Sequence, residues 1–371
     1  MEFTVRKGDL LDELSLTQGV VERKTTIPIL SNALFEAKGG RLTITATDLD
    51  LSIRVSCEAK IKKEGAGTIP AKKLLELVRL LPDDEIRFKL LENHWIQIIC
   101  EHKTYKMIGM GRENFPNQPS FPETVVKIPA EILCSMIAKT IFAISAEESR
   151  YTLSGALLLL KPSMLMMVAT DGHRLALVET DHKISGLRAE QRVLIPRKAM
   201  TEVQRLAAES GDDDAQVEFA EDDSHIFFQI GDRRLTSRKL TGQFPNYEAV
   251  LPKETNKSVV LERGEFQDAL RRVSQLADQR SHAVKFVLAK EAVEISSSSP
   301  EYGEAKEAIE KEYKGEPLSI GFNAQYFLDF LAAAADGPIS LELKDEQSAG
   351  QLRPLGDESC RYRYVVMPMR I

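Results

Sequence analysis

The sequence predicts an α+β fold of three repeated domains, each with two helices packed on antiparallel sheets. Three features of the chain predict it. First, Leu30-Ser31-Asn32-Ala33-Leu34 overlies Leu153-Ser154-Gly155-Ala156-Leu157, and the same offset carries Ala46-Thr47-Asp48 onto Ala169-Thr170-Asp171 without a gap. Second, flanking motifs recur in the same order: Ile69-Pro70-Ala71-Lys72 returns as Ile195-Pro196-Arg197-Lys198, and Phe115-Pro116-Asn117 as Phe244-Pro245-Asn246. Third, a fainter copy follows, in which Leu42, Ile44 and Ala46 match Val293, Ile295 and Ser297, Phe35 matches Phe286, and Gly321-Phe322-Asn323-Ala324 takes the place of Ile195-Pro196-Arg197-Lys198. Short apolar strings recur by chance; their common order and spacing argue for a unit of ~120 residues used three times. The expected domains are residues 1–122, 126–252 and 257–371.

Each copy opens on a short strand, as in Glu2-Phe3-Thr4-Val5, followed by a helix. The helix pattern is rough in the first copy, where it rests on Leu10, Leu14 and Val21. It is clear in the second, through Ile132, Leu133, Met136, Ile137, Thr140 and Ile141, and in the third, through Phe266, Ala269, Leu270, Val273, Leu276 and Ala277. The pattern then changes to period two. Leu42, Ile44 and Ala46, a break at Thr47-Asp48, and Leu49, Leu51, Ile53 and Val55 read as a half-buried antiparallel hairpin. Asp171-Gly172 suits the same turn in the second copy, where positive φ is wanted. A second helix begins with Pro70 or Pro196 in its first turn, where the missing N–H does no harm, and Pro82 stops the first of these. Residues 296–316, rich in Ser, Glu and Lys, read as a solvated excursion of the third copy.

The composition excludes several classes. With 43% hydrophobic and 28% charged residues the chain is an ordinary globular protein. No apolar run approaches the ~18 residues that span a bilayer, and the amino terminus lacks a signal-peptide core, so a cytoplasmic protein with no membrane partner is expected. Cys57, Cys100, Cys134 and Cys360 are widely spaced, which suggests neither disulfides nor zinc but small buried apolar residues. No phosphate-binding glycine signature occurs, and no cofactor or metal is expected. The formal net charge of −7 runs against the basic excess of nucleic-acid-binding proteins, so the distribution of charge matters more than its sum. Acid is concentrated in Gly211-Asp212-Asp213-Asp214 and Glu221-Asp222-Asp223, while modest basic stripes lie on helices: Lys72, Lys73 and Arg79; Arg197 or Lys198, Thr201 and Arg205; Arg263, Gln267 and Arg271. Any one stripe alone is an ordinary solvated face.

Thr26-Ile27-Pro28-Ile29-Leu30, Thr170-Asp171-Gly172-His173-Arg174-Leu175, Phe244-Pro245-Asn246-Tyr247 and the terminal Tyr364-Val365-Val366-Met367-Pro368-Met369-Arg370-Ile371 occur in this order. In these motifs the whole chain resembles the bacterial sliding clamp family, the beta subunit of DNA polymerase III. The resemblance implies a head-to-tail homodimer that closes a ring of six domains, with sheets outside and helices facing a central hole. It implies a non-catalytic processivity factor that encircles double-stranded DNA without sequence specificity and tethers the polymerase III catalytic subunit. The clamp loader, other polymerases and repair proteins carrying clamp-binding peptides are the further partners it implies. DNA contacts are then expected from Lys24, Arg150 and Tyr151, where the family touches DNA, and from Lys72, Arg79, Arg197, Lys198, Arg205 and Arg271 on the helix faces. Weak, salt-sensitive contacts suffice for a protein held on DNA by topology. The resemblance also places a peptide-binding groove at Leu153, Thr170, Gly172, His173, Arg174, Leu175, Pro245, Val250, Asn323, Tyr326, Val365, Val366, Met367, Pro368, Met369 and Arg370. Pro368 cannot donate to a ladder, so the tail is expected to leave its sheet there. Two departures stand out: Lys24 fills a position that is often Arg, and Glu248-Ala249 follow Tyr247 where the family often has basic residues.

Asp171 and His173 also suggest an acid and base, but two residues apart on a turn they diverge, and no nucleophile with oxyanion donors accompanies them. Because Asp48 recurs without Gly or His beside it, the carboxylate is expected to serve the turn. An enzyme built on Asp171 and His173, and a three-repeat scaffold that ignores DNA, are the two rival classes.

Overall fold

A computed structural model of the chain describes residues 1–21, 26–123, 126–147, 149–184, 187, 189–212 and 214–371. The first repeat runs β1 (Glu2–Arg6), α1 (Lys7–Leu16), β2 (Asn32–Lys38), β3 (Arg41–Thr47), β4 (Leu51–Glu58), β5 (Lys60–Lys63), β6 (Gly65–Pro70), α2 (Ala71–Leu80), β7 (Glu85–Leu90), β8 (Trp95–Cys100) and β9 (Lys103–Ile108). The central repeat runs β10 (Val126–Pro129), α3 (Ala130–Thr140), β11 (Gly155–Lys161), β12 (Met164–Thr170), β13 (Arg174–Asp181), β14 (Gln191–Pro196), α4 (Arg197–Ala208), β15 (Gln216–Glu221), β16 (His225–Ile230) and β17 (Arg233–Arg238). The third runs β18 (Lys257–Glu262), α5 (Arg263–Ser274), β19 (Ala283–Leu288), β20 (Ala292–Ser299), β21 (Gly303–Glu310), β22 (Leu318–Asn323), α6 (Ala324–Ala333), β23 (Pro338–Leu343), β24 (Gly350–Pro354) and β25 (Arg361–Val366).

The chain folds as two compact units whose limits differ from those of the repeats. The first comprises residues 1–133 and 198–239. Its sheets are β5-β1-β7-β8-β9 and β10-β15-β16-β17-β4-β3-β2-β6. The longer sheet crosses from one repeat to the next where β4 pairs with β17, Leu51 opposite Ser237 and Ile53 opposite Leu235. The core holds stacked Phe3 and Phe88, ring centroids 4.9 Å apart, with Phe35 at 6.4 Å from Phe88. The second unit comprises residues 134–197 and 240–371, with sheets β14-β11-β12-β13-β25-β24-β23-β18 and β21-β20-β19-β22. Here the crossing is β13 with β25, Arg174 opposite Val366 and Leu175 opposite Val365. Phe266, Phe286, Phe322 and Phe327 fill the core beneath its smaller sheet.

The alternating pattern around residue 48 forms the hairpin of β3 and β4. Several local expectations are corrected. Val21 lies beyond α1, Ile141 beyond α3, and Leu276 and Ala277 beyond α5; Ala277 is buried there and the other three are half-buried. Pro70 and Pro196 end strands rather than sit in the first helical turn, and Pro70 takes the residue just ahead of α2 with extended ψ. Residues 296–310 are not a solvated excursion but part of the β20–β21 hairpin, because alternate serines turn inward: Ser297 and Ser299 are buried, and the Ser297 hydroxyl donates to the Val273 carbonyl at 2.7 Å. Cys57 and Cys100 are buried, and burial pushes the Cys57 thiol up to about 12; Cys134 and Cys360 are only half-buried. Lys139 donates to the Cys360 sulfur at 3.0 Å, a polar setting the expectation of a small apolar residue missed.

Candidate functional site

The turn between β12 and β13 is organised by Asp171. One of its carboxylate oxygens accepts from the His173 and Arg174 backbone N–H groups at 2.9 and 3.0 Å, and the other from Arg174 Nε at 3.0 Å. The Thr170 hydroxyl accepts from Gly172 N–H at 3.1 Å and donates to the Arg174 carbonyl at 2.6 Å. Gly172 has φ +90°, and a Cβ there would meet Arg150 Nη1 at 3.1 Å. Arg150 closes the turn by donating to the Asp171 carbonyl at 2.7 Å. The first repeat has the same turn: Thr47 accepts from Leu49 N–H at 3.0 Å, and Asp48 from Asp50 N–H and Leu51 N–H at 3.0 and 2.6 Å. Asp171 thus serves the backbone, and its oxygens are engaged with donors rather than with the His173 ring.

Arg174 faces inward. Its guanidinium donates to Asp171, to Asp329 at 2.5 Å and to the Phe142 carbonyl at 2.7 Å, and it lies 4.5 Å above the Tyr326 ring. The side chain is 11% exposed, which makes it a brace beneath the turn. Such planar, multiply bonded pairing is what guanidinium does better than ammonium. The Tyr364 hydroxyl donates to the Tyr326 carbonyl at 2.9 Å, and burial pushes both phenols above the ordinary tyrosine value.

The carboxyl-terminal tail continues from this brace. Val365 and Val366 are buried in β25, and the Met367 N–H still donates to the His173 carbonyl at 2.9 Å. Beyond Pro368 the tail leaves that sheet, as Pro requires, and Met369 N–H donates to the Gly321 carbonyl of β22 at 2.9 Å. Gly321 makes this approach possible, because a Cβ would stand 2.6 Å from the Met369 carbonyl and 2.5 Å from Ile371. Met367 is 43% exposed, and Arg370 is exposed. Asn323 accepts from Gln325 N–H at 2.8 Å and starts α6, which carries Tyr326.

An apolar cluster joins Leu157, Leu175, Leu194, Tyr247 and Val365, with Phe244 packed against it. Beside it a cavity of about 500 Å³ is lined by Leu157, Arg192, Leu194 and residues 242–248. The structure therefore brings Leu175, Val365 and Pro245 to one region. Val250 is exposed at the end of that loop, and Leu153 lies in a short turn just ahead of β11. Leu157, Arg192 and Leu194 were not assigned to the groove from the sequence, where Phe244 and Tyr247 entered only as part of a family motif and Glu248 only as a departure from it. The Leu157–Leu194 pairing across β11 and β14 follows from alternation once the register is known, which a single sequence does not supply.

The basic residues divide unevenly. In the first unit Lys72 and Arg79 are exposed on α2, whereas Lys198 is ion-paired with Asp48. Arg205, expected on an exposed face, is corrected: its guanidinium bonds Glu202 and donates to the Ser15 carbonyl at 3.0 Å and to Leu16, satisfying the last carbonyls of α1. Helix ends leave such carbonyls unpaired, and a long cation reaching back is an ordinary remedy. Arg197 is exposed at the start of α4. In the second unit Arg271 is 59% exposed and 3.8 Å from Asp268, and Tyr151 is exposed beside Arg150. Arg263 and Gln267 do not extend the Arg271 stripe, because Gln267 is buried and Arg263 donates to the Leu331 carbonyl at 2.9 Å. Lys24 and Asp213 lie outside the described residues. Among the described residues no group of three His, Cys, Asp or Glu side chains is placed to hold a metal.

Models of the DNA polymerase III beta subunit match the chain at residues 1–119 (N-terminal domain), 127–246 (central domain) and 248–370 (C-terminal domain). The beta sliding clamp of Synechococcus elongatus is 34% identical, over 100% of both chains. The chain belongs to the DNA polymerase III beta subunit family. Clamps of this family have been solved, and the beta subunit from Pseudomonas aeruginosa superposes with a TM-score of 0.94 at 32% identity, covering 100% of both chains. The Bacillus subtilis sliding clamp gives 0.94 at 27% identity, over 100% of this chain and 99% of that one. The chain is thus a DNA sliding clamp of three clamp domains, a processivity factor and not a catalytic enzyme.

Proposed function

We propose that two copies of this chain close head to tail into a ring of six clamp domains around duplex DNA, and that a groove beside the β12–β13 turn takes the peptides of tethered partners. The observation that carries the ring is the repeated strand junction. The strand after the repeat's central hairpin turn, β4 or β13, pairs with the last strand of the following repeat, β17 or β25. The corresponding strand of the third repeat, β21, and the last strand of the first, β9, are left as sheet edges. A second copy supplies each with its missing partner, and the reciprocal junction closes the dimer. Charge favours the match: β9 opens on Lys103, and β21 carries Glu304, Glu307 and Glu310 against the single Lys306.

In the groove, Leu175, Val365 and the Phe244–Tyr247 loop offer apolar anchoring, with Arg192 and Glu248 as polar guides at the rim. The partners are the polymerase III catalytic subunit, the clamp loader, and other polymerases and repair proteins with clamp-binding peptides, in the cytoplasm. Lys72, Arg79, Arg197, Arg150, Tyr151 and Arg271 are the proposed DNA contacts; Lys198 contributes only if it exchanges Asp48 for phosphate.

The test is retention of labelled protein on nicked circular DNA after loading, followed by gel filtration before and after the circle is cut. Retention lost on linearisation is expected of a ring. Retention that survives cutting, or none despite an active loader, would reject topological binding.

A further inference from the structure

The five-stranded sheet of the first unit is one-sided. Phe3, Val5, Ile86, Phe88, Ile96, Ile98 and Cys100 are buried against the core, and the alternate residues form an open face. In a protein of formal charge −7 this face is cationic. Arg6, Lys60, Lys62, Arg87, Lys89 and Lys106 stand on it against Glu2 and Glu85. Both carboxylates are already neutralised, Glu2 by Arg87 and Lys62 and Glu85 by Lys60.

Trp95 lies within this field and is 40% exposed. The registers Lys89 opposite Gln97 and Gln97 opposite Lys106 set one row across β7, β8 and β9, and Trp95 precedes Gln97 by two residues on the same face of β8. At ~4.8 Å between strands, the two lysine backbones are roughly 10 Å apart on either side of Gln97, and Trp95 lies beside this row on the same face, opposite Ile108. Lys89, Leu90, Leu91, Glu92, Trp95 and Lys106 line a cavity of about 820 Å³, with Glu92 its one acidic group.

We propose that this face docks single-stranded nucleic acid, with Trp95 as the stacking platform for a base and Lys89 and Lys106 as contacts to the phosphates on either side. A flat aromatic beside a cationic track is the arrangement that holds single strands without reading sequence. An acidic peptide would use the cations but not the indole. The proposed β9–β21 junction consumes the backbone edge of β9 and leaves the sheet face open. The inference is independent of the ring, since a chain that failed to stay on circular DNA would still bind here.

Trp95 is the only tryptophan of the chain, so its emission reports this site directly. Full-length protein titrated with a short oligothymidylate is expected to show saturable quenching that weakens with salt. The double variant Lys89→Glu, Lys106→Glu is expected to bind at least about tenfold more weakly, with the salt slope reduced by ~1.4 at ~0.7 per single-strand phosphate contact. Trp95→Ala, followed by anisotropy of a labelled oligonucleotide, should weaken binding by about fivefold or more. The charge-matched Lys285→Glu, Lys290→Glu control should leave quenching unchanged. All four lysines are exposed, and thermal melts check that each variant folds. Absence of quenching at low salt overturns the proposal, as does quenching that survives the double reversal. Equal competition by polyglutamate reassigns the face to acidic peptides and overturns it too.

Discussion

Leu49 and Gly172 occupy the same place in two copies of one turn, with φ of +83° and +90°. Glycine adopts this conformation freely, whereas a leucine pays ~1–2 kcal/mol for it. Since Leu49 is 45% exposed, its side chain returns little of that through burial. Leu49→Gly is therefore expected to stabilise the protein by about 0.5–1 kcal/mol after allowance for the more flexible unfolded chain. A urea titration checks it, and a lowered midpoint would mean that the Leu49 contacts outweigh the strain. The aspartate of this turn was legible in the sequence because it recurs in both copies. The inward course of Arg205 was not: helical spacing marks a stripe, but it does not say whether a long side chain at the stripe's edge reaches for solvent or folds back on the carbonyls of another helix.

Among the elements, the terminal segment after β25 joins the most surroundings with the fewest residues. Its backbone bonds the β12–β13 turn through Met367 and β22 through Met369, so it spans the two sheets of the second unit. Deleting Met367–Ile371 removes two backbone bonds and a half-exposed methionine surface while β25 itself stays in place. Polymerase-derived peptides are expected to bind about tenfold more weakly or worse, at ~1.4 kcal/mol per factor of ten, with the dimer intact. Fluorescence anisotropy measures the first and sedimentation velocity the second; unchanged peptide affinity would sink the groove assignment. Proline marked in the sequence where the tail departs from its strand, but its landing place depends on Gly321, whose role appears only when the two segments meet. The β20–β21 hairpin was hidden for a different reason: serine and glutamate composition masked an alternation that burial makes plain.

For the whole molecule, closure of the proposed ring depends on two open edges. Residues 305 and 308 of β21 differ in parity, so one of these alanines directs its N–H toward β20 and the other toward the free edge. A proline at the outward position removes a donor from the proposed junction and leaves the hairpin paired. Of Ala305→Pro and Ala308→Pro, one is expected to give a folded monomer of 41.5 kDa and the other a destabilised protein. Sedimentation velocity and thermal melting distinguish them, and two variants that both remain fully dimeric would place the interface elsewhere. The repeats and the family were legible throughout the chain, whereas pairing between repeats was not, because a strand's sequence does not name its neighbour.

The continuous sheets give the chain two periods that are out of step. Sequence similarity restarts near residues 126 and 257, while hydrogen bonding runs on through β4–β17 and β13–β25. A fragment cut at the sequence period would strip a strand from its ladder and leave adhesive backbone exposed, the usual seed of aggregation. Cooperative opening should follow the ladders instead, so that amides of β17 exchange with those of β4, over 170 residues away, before they keep time with β13 in their own repeat.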